Sequence, residues 1–360
     1  MKNNNKIFSN KILGILGGGQ LGKMIAFEAS RLGIKTCVYD PNSDAPALQN
    51  ANIVFIEEYG NKKKLREFAK TCDAITYEFE NIPLKSIELI NQYCRVFPGI
   101  NALKYSQERF LEKNFLSKID IKVARFFKVD DLKTLKVKLK LLGGKAILKT
   151  RKFGYDGKGQ YIIKNYQLPE IGDKLKKDFY IIEELIKFKK EISVIAFRSK
   201  KGKTDCYEPS ENIHKNGILR EALFPARISN KCKKNAKDIA MKIAKKLKIV
   251  GIIAVEMFVC DNEEIIVNEI APRPHNSGHW TIDSCNVSQF EMLVRMMYEY
   301  PVTKISYYHK CRMINILGLN YHMLLKSMEK KNHKVHVYGK NKISPLRKLG
   351  HINILSKLNA

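Results

Sequence analysis

Two glutamates interrupt an otherwise apolar stretch, GIIAVEMFVCDNEEIIVNEIAPRPHNSGHW, residues 251–280. Glu256 falls on a first β-like run and Glu269 on a second, with CDNE as the expected turn. If that turn holds an even number of residues, both carboxylates share one face, with Cβ atoms about 5–8 Å apart. Acids on apolar strands need a compensating charge, because an unpaired buried charge is costly. One or two Mg²⁺ ions would supply it, since Mg²⁺ takes few carboxylates and completes its shell with water and nucleotide phosphates. Ion pairs with Lys or Arg are the alternative. Directly after the second strand, APRPHNSGH sets Arg273, His275 and Asn276 on a turn bracketed by prolines. A guanidinium fork there suits a carboxylate or phosphoryl oxyanion, and His275 could act as base or donor.

Upstream, KTRKFGYDGKGQ (residues 149–160) lies between two β-like runs, so it reads as a glycine loop in a hairpin. Gly154, Gly157 and Gly159 would let the backbone fold over phosphates, with Lys149 and Lys158 as point charges. An ordinary Asp-Gly turn would look the same. YIIEELIKFKKEISV (residues 180–194) is compatible with an edge strand whose backbone meets a purine, followed by a carboxylate for a ribose, or with any amphipathic strand. ILGGGQLGKM (residues 15–24) fits G-x-G-x-x-G through Gly17, Gly19 and Gly22, and Asp40 stands near the place of the acidic residue of a dinucleotide site. The fingerprint itself says only that a phosphate can approach a helix N-terminus.

These residues have to be positioned by elements that the pattern also outlines. The first hundred residues alternate short apolar strands with helices, which implies a parallel, doubly wound sheet. The middle of the chain is β-like with glycine turns. A Lys-rich helix is expected over 230–247, a hydrophobic hairpin over 251–270 and a helix over 288–298. At 360 residues the chain can hold two or three domains. With 44% apolar and 28% charged residues it reads as globular. No uncharged apolar run reaches the roughly 18 residues of a membrane span. The opening MKNNNKIFSNK lacks a signal peptide's apolar core, so a cytoplasmic location is expected. The net charge of +29 raises a nucleic-acid role, but only 13 of the 65 basic residues are Arg, and the Lys are scattered as on solvated helix faces. The eight cysteines form no C-x-x-C pair and suggest no zinc site. No nucleic-acid or membrane partner is therefore expected.

Taken in this order along one chain, the segments resemble the ATP-grasp ligases, and most closely the N5-carboxyaminoimidazole ribonucleotide synthetases of purine biosynthesis. ITYEFENIP, FGYDGKGQ, ENIHKNGIL and APRPHNSGHWT carry the resemblance, which covers nearly the whole sequence. It implies an α/β, ATP-grasp fold with an N-terminal Rossmann-like (pre-ATP-grasp) domain and a small C-terminal β-rich domain. The expected boundaries are 1–104 for the Rossmann-like domain, 105–190 for the ATP-grasp lid, 191–310 for the large subdomain and 311–360 for the C-terminal domain. It implies ATP and Mg²⁺ as cofactors, bicarbonate and 5-aminoimidazole ribonucleotide as substrates, and a homodimer. Nucleotide contacts would come from Arg109, Lys149, Gly154, Tyr155, Asp156, Gly157, Lys158, Gly159, Gln160, Glu183, Glu184, Leu185, Ile186, Glu191, His214, Asn268 and Glu269. Glu256 and Glu269 would hold the metal. Arg273, His275, Asp156 and Lys158 would serve catalysis. Gly19, Gln20, Leu21, Tyr155, Arg273, His275, Asn276, Lys340 and Arg347 would face the ribonucleotide. Phe153 stands where the family usually has a second glycine. A formate-dependent glycinamide ribonucleotide transformylase-type ligase is the alternative within the same fold. An NAD-dependent oxidoreductase is the alternative on the opening fingerprint alone.

Overall fold

The computed structural model describes residues 10–154, 158–168 and 179–358. Its first sheet is built from β1 (Ile12–Leu16), β2 (Lys35–Tyr39), β3 (Ile53–Phe55), β4 (Ala74–Tyr77) and β5 (Val96–Phe97), in the order β3-β2-β1-β4-β5. Every pair is parallel. Helix α1 (Gln20–Arg31) follows β1, α2 (Lys62–Thr71) follows β3 and α3 (Leu84–Asn91) follows β4. The strand order reverses between β1 and β4. The loops leaving these two strands therefore open on one crevice, where such folds bind ligands.

Helices α4 (Ile100–Ser106) and α5 (Arg109–Lys118) lead into a four-stranded antiparallel lid. Its strands are β6 (Phe126–Val129), β7 (Ala146–Thr150), β8 (Gln160–Ile163) and β9 (Tyr180–Glu184), in the order β6-β9-β7-β8, with α6 (Leu132–Leu141) packed on one face. The rest of the chain forms a single nine-stranded sheet from β10 (Lys190–Arg198), β11 (Thr204–Cys206), β12 (Ser210–Lys215), β13 (Ile218–Phe224), β14 (Gly251–Val259), β15 (Ile265–Ala271), β16 (His309–Leu317), β17 (His333–Val337) and β18 (Lys348–Lys357). The C-terminal strands continue this sheet, because β16 pairs with β13, and the expected boundary at 311 falls inside β16.

The Lys-rich segment is α7 (Asn230–Lys246), N-capped by the Ser229 hydroxyl. Its buried residues Cys232, Ala236, Ala240, Ile243 and Ala244 follow the helical repeat, and small alanines let it lie close on β10 and β14 while the lysines face outward. Helix α9 (Gln289–Tyr298), which follows the four-residue α8 (Thr281–Ser284), fixes the first sheet to the large one. Its Phe290, Met292, Leu293 and Met296 share a core with Leu13, Ile15, Met24 and Ile25. Arg31 also pairs with the buried Glu291. Among the described residues no helix is long and apolar enough to cross a membrane, and all eight cysteines are free thiols.

The C-terminal strands are held to the turn after β15 by a stack of imidazoles. His351 lies 4.3 Å from His336 and 4.6 Å from His279, ring centre to ring centre. His336 Nε2 contacts Asp283 Oδ2 at 2.8 Å, and His351 Nδ1 contacts the Tyr338 hydroxyl at 2.9 Å. Burial pushes His279 and His351 well below the usual histidine range. The unfolded chain then takes up protons first, so the stack's stability is present above about pH 6.5 and is lost below it, at up to about 1.4 kcal/mol per histidine per pH unit. Urea melts from pH 8 to 5 should show this loss, and His351→Asn should flatten it. Parallel pH profiles for the two proteins would refute the assignment.

Candidate functional site

At the crevice of the parallel sheet, the glycine loop is occupied by the protein's own carboxylates. Glu78, directly after β4, accepts the Gly19 N–H on Oε1 and the Gly22 N–H on Oε2, the latter at 2.8 Å. Asp40 Oδ2 accepts the Gly18 N–H at 2.6 Å. A Cβ at Gly19 would meet the Glu78 carboxylate at 2.4 Å, so the close approach that requires glycine here is made by Glu78 and not by a pyrophosphate. Asp40, in the place of a ribose-binding acid, is spent on the same loop. This geometry removes the NAD reading. Burial holds Glu78 above its ordinary value, opposed by the two amides.

Helix α5 begins the nucleotide half of the site. Glu108 caps it, accepting from Phe110 N and Leu111 N, and forms a two-pronged pair with Arg151 at 2.8 and 2.9 Å. Arg109 Nη1 lies 2.9 Å from Glu269 Oε2. On the lid, Lys149 of β7 is opposite Gln160 of β8. Its ammonium meets Glu183 Oε2 of β9 at 3.0 Å. Both groups are buried. Burial would raise Glu183, but Lys113, Lys149 and Arg109 hold it well below the usual carboxylate range. The loop between β7 and β8 is closed by the Thr150 N–H to Gly159 O bond at 2.9 Å. Phe153 has φ 61°, the left-handed region that favours glycine. An L side chain in that region costs about 1–2 kcal/mol.

The paired glutamates are on one face, by a route different from the expected one. The ladder ends at Val259 opposite Ile265, so the connection is Cys260–Glu264, an odd number of residues. Continued regularly, it would set Glu256 against Asn268 and send Glu269 to the other face. A bulge between the 256 and 257 positions leaves Asn268 unpaired and brings Glu256 directly opposite Glu269. Burial and then the Glu269 charge push Glu256 up to about 7. Burial would also raise Glu269, but Arg109, Lys149 and Lys113 hold it down. Among the described residues Glu256 has no ammonium or guanidinium partner within ion-pair distance: it meets His275 Nε2 at 3.3 Å. His275 Nδ1 accepts the Ser277 N–H at 3.3 Å and lies 2.7 Å from the Ser277 hydroxyl. These contacts put the ring proton on Nε2. Burial and Arg273 keep the ring uncharged at neutral pH. Arg273 Nε pairs with Glu80 Oε1 at 2.9 Å. Both polar atoms of the Asn276 amide, and Asn268 Oδ1, are buried without a hydrogen-bond partner among the described residues.

Glu78, Arg109, Lys149, the paired glutamates and the Arg273–His275–Asn276 turn line one cleft of about 840 Å³ between the three sheets. Of the residues expected from sequence, it is lined by Gln20, Leu21, Arg109, Lys149, Gly154, Gln160, Glu183, Glu184, Leu185, Ile186, Glu191, His214, Glu256, Asn268, Glu269, Arg273, His275 and Asn276. His214 Nδ1 lies 2.8 Å from Glu191 Oε2. Burial lowers His214, but the Glu191 bond and the charges of Glu256 and Glu269 outweigh it and hold it above its ordinary value. Gly19, Gly159, the exposed Lys158, Lys340 and Arg347 are not part of the lining. Lys340 lies over the Tyr338 ring, near enough to Glu78 to act on its charge, and Arg347 donates to Lys342 O at 3.2 Å. Tyr155, Asp156 and Gly157 lie outside the described residues. The sequence reading missed Glu78, Glu80, Glu112, Lys113 and the stacked pair Phe188–Phe258, whose ring centres are 4.5 Å apart and which forms a flat wall of the cleft. No local signal marks Glu78, because the strand order that brings it to the glycine loop is set by the fold. The i, i+3, i+4 spacing from Arg109 was the signal for Glu112 and Lys113.

Family models match in the same order as the sheets. The ribonucleotide synthetase preATP-grasp domain covers residues 10–107, the ATP-grasp domain 114–290, and the phosphoribosylaminoimidazole carboxylase C-terminal domain 311–360. The N5-carboxyaminoimidazole ribonucleotide synthase of Bacillus subtilis is 38% identical over 353 residues, 98% of this chain and 93% of the relative. The Staphylococcus aureus N5-carboxyaminoimidazole synthetase complexed with ADP matches with a TM-score of 0.93 at 35% identity, over 98% of this chain and 95% of that one. The Aspergillus clavatus enzyme in complex with ADP and 5-aminoimidazole ribonucleotide matches with a TM-score of 0.90 at 28% identity, over 97% and 95%. A shared fold, a shared order of domains and identity spread along the full length agree: this chain belongs to the N5-carboxyaminoimidazole ribonucleotide synthases, a family of ATP-grasp ligases.

Proposed function

We propose that the protein uses ATP to carboxylate 5-aminoimidazole ribonucleotide with bicarbonate, giving the N5-carbamate, ADP and phosphate. The observation that carries this reading is the Glu256–Glu269 pair facing the Arg273–His275–Asn276 turn in one cleft. In the reaction the resemblance implies, a bicarbonate oxygen attacks the γ-phosphorus and ADP leaves. The exocyclic amine then bonds to the carboxyl carbon of carboxyphosphate, or to the CO₂ it releases, and phosphate departs.

Glu256 and Glu269 fit Mg²⁺: burial and the facing Glu269 charge push Glu256 up to about 7, a strain that a cation between the two would relieve, and the orphaned Asn268 Oδ1 is adjacent in sequence to Glu269. Among the described residues no three His, Cys, Asp or Glu converge as a metal cage. Two carboxylates are what a phosphate-bridged Mg²⁺ needs. Bound there, the ion would neutralise charge on the phosphates. Lys149, Gly154 and Gln160 would hold the nucleotide from the lid side, the Glu184–Ile186 edge and the Phe188–Phe258 wall would take the purine, and Glu191 and His214 would take the ribose. Arg273 would bind the carboxyphosphate oxyanion, with the Nε2–H of neutral His275 as a donor beside it. Asn276 brings an unsatisfied amide to the same place. Gln20 and Leu21, helped by Lys340 and Arg347, would face the ribonucleotide, with Tyr155, Asp156 and Lys158 near both substrates. Free thiols suit a reducing cytoplasm, and the resemblance implies a homodimer.

The test is ADP release from ATP. It should require Mg²⁺, bicarbonate and 5-aminoimidazole ribonucleotide together. Formate with glycinamide ribonucleotide should not replace them; turnover with that pair instead would overturn the assignment.

A further inference from the structure

We infer that Lys113 is a positioning residue for Glu269: its ammonium clamps the bulge that turns this carboxylate toward Glu256. The inference rests on reading Glu256 and Glu269 as a Mg²⁺ pair. Strand β15 ends its sheet, so beyond the isolated Val123–Val267 bridge its outer row of backbone groups has no strand alongside. Helix α5 covers that edge with side chains. Glu112 Oε1 accepts the Ile270 N–H at 2.6 Å, and Lys113 Nζ donates to the Asn268 carbonyl at 2.8 Å. Asn268 is the residue that the bulge leaves without a ladder partner. A bulge gives up regular ladder bonding, and here a charged donor, stronger than an amide, takes over.

The second contact of the same ammonium is Glu183 Oε2 at 3.3 Å, the carboxylate that also holds Lys149. Lys113 is 1% exposed, so its charge has to be compensated on the spot. It therefore ties the metal strand β15 to the lid strand β9. A methionine would fill the same volume but leave the bulge carbonyl unbonded, and the register that pairs Glu256 with Glu269 would lose its anchor.

The test uses the full chain with ADP and Mn²⁺, followed by electron paramagnetic resonance. K113M should weaken Mn²⁺ binding to the ADP-loaded protein by about tenfold or more, as for residues that orient metal ligands. Its ADP affinity in EDTA should fall by less than that, and K113R should restore Mn²⁺ binding. An equal loss of both affinities, or unchanged Mn²⁺ binding in a protein that melts cooperatively, overturns the inference. Should K113M fail to fold, K113Q decides by the same criteria. E256Q and E269Q separate the two readings. If they leave Mn²⁺ binding intact, the metal pair itself is wrong. If they abolish it while the Lys113 variants do not weaken it, only the clamp is wrong.

Discussion

Glu269→Gln is expected to lower turnover by about 10²–10³-fold, as loss of one preorganised electrostatic group typically does. The substitution keeps the shape and leaves an oxygen for Arg109 Nη1, now 2.9 Å from Glu269 Oε2. What it removes is the carboxylate that Arg109, Lys149 and Lys113 hold below its ordinary value, whereas burial and the Glu269 charge push its partner Glu256 up to about 7. The variant would offer a divalent cation a single carboxylate in place of the facing pair. Added Mg²⁺ should recover part of the rate, because the defect is in affinity as well as charge. Initial rates of ADP release across a Mg²⁺ series, beside a thermal melt to confirm folding, give the answer. Full turnover at the wild-type Mg²⁺ requirement would be incompatible with the metal assignment.

The second large effect is expected from Arg273→Lys, with kcat falling about 10²-fold and ADP affinity unchanged. Arg273 is held by Glu80 at 2.9 Å and by the Pro274 carbonyl at 2.9 Å, so two of its donors are spent on orientation. A lysine keeps the charge and can satisfy Glu80, but it then has no fixed fork to present to an oxyanion. Calorimetric titration with ADP separates the two halves of the site: the lid contacts of Lys149 and Glu183 do not involve Arg273. A lysine variant with wild-type kcat would show that Arg273 serves only to neutralise Glu80.

Much of the site could be read along the chain because its chemistry is local in sequence. Glu256 and Glu269 belong to one hairpin, the Arg273 turn follows at once, and the glycine loop joins two adjacent strands. The elements were equally legible where burial is periodic, as in α7 with its stripe of Cys232, Ala236, Ala240 and Ile243. Three things were not legible, each for a definite reason. The segment RFLEKNFLSK has polar residues at helical spacing and resembles a solvated face, yet Arg109, Glu112 and Lys113 are buried, because their partners Glu183, Glu269 and the β15 backbone lie far along the chain. Glu78 looks like any acid in a loop until the order β2-β1-β4 brings it against Gly19 and Gly22. The C-terminal strands gave no sign that β16 would extend the large sheet through β13.

Alone, the order of residues determined which groups are available, the family they resemble and the elements that carry them, since apolar period and turn chemistry act over a few residues. Tertiary contact decided which face Glu269 takes, through a one-residue bulge bonded to a lysine about 155 positions away. It also decided that the opening glycines hold a glutamate in place of a cofactor phosphate. Both outcomes follow from one rule: a buried charge or an unpaired backbone group is settled by whatever partner the fold brings within hydrogen-bond reach, and a linear pattern does not encode that distance.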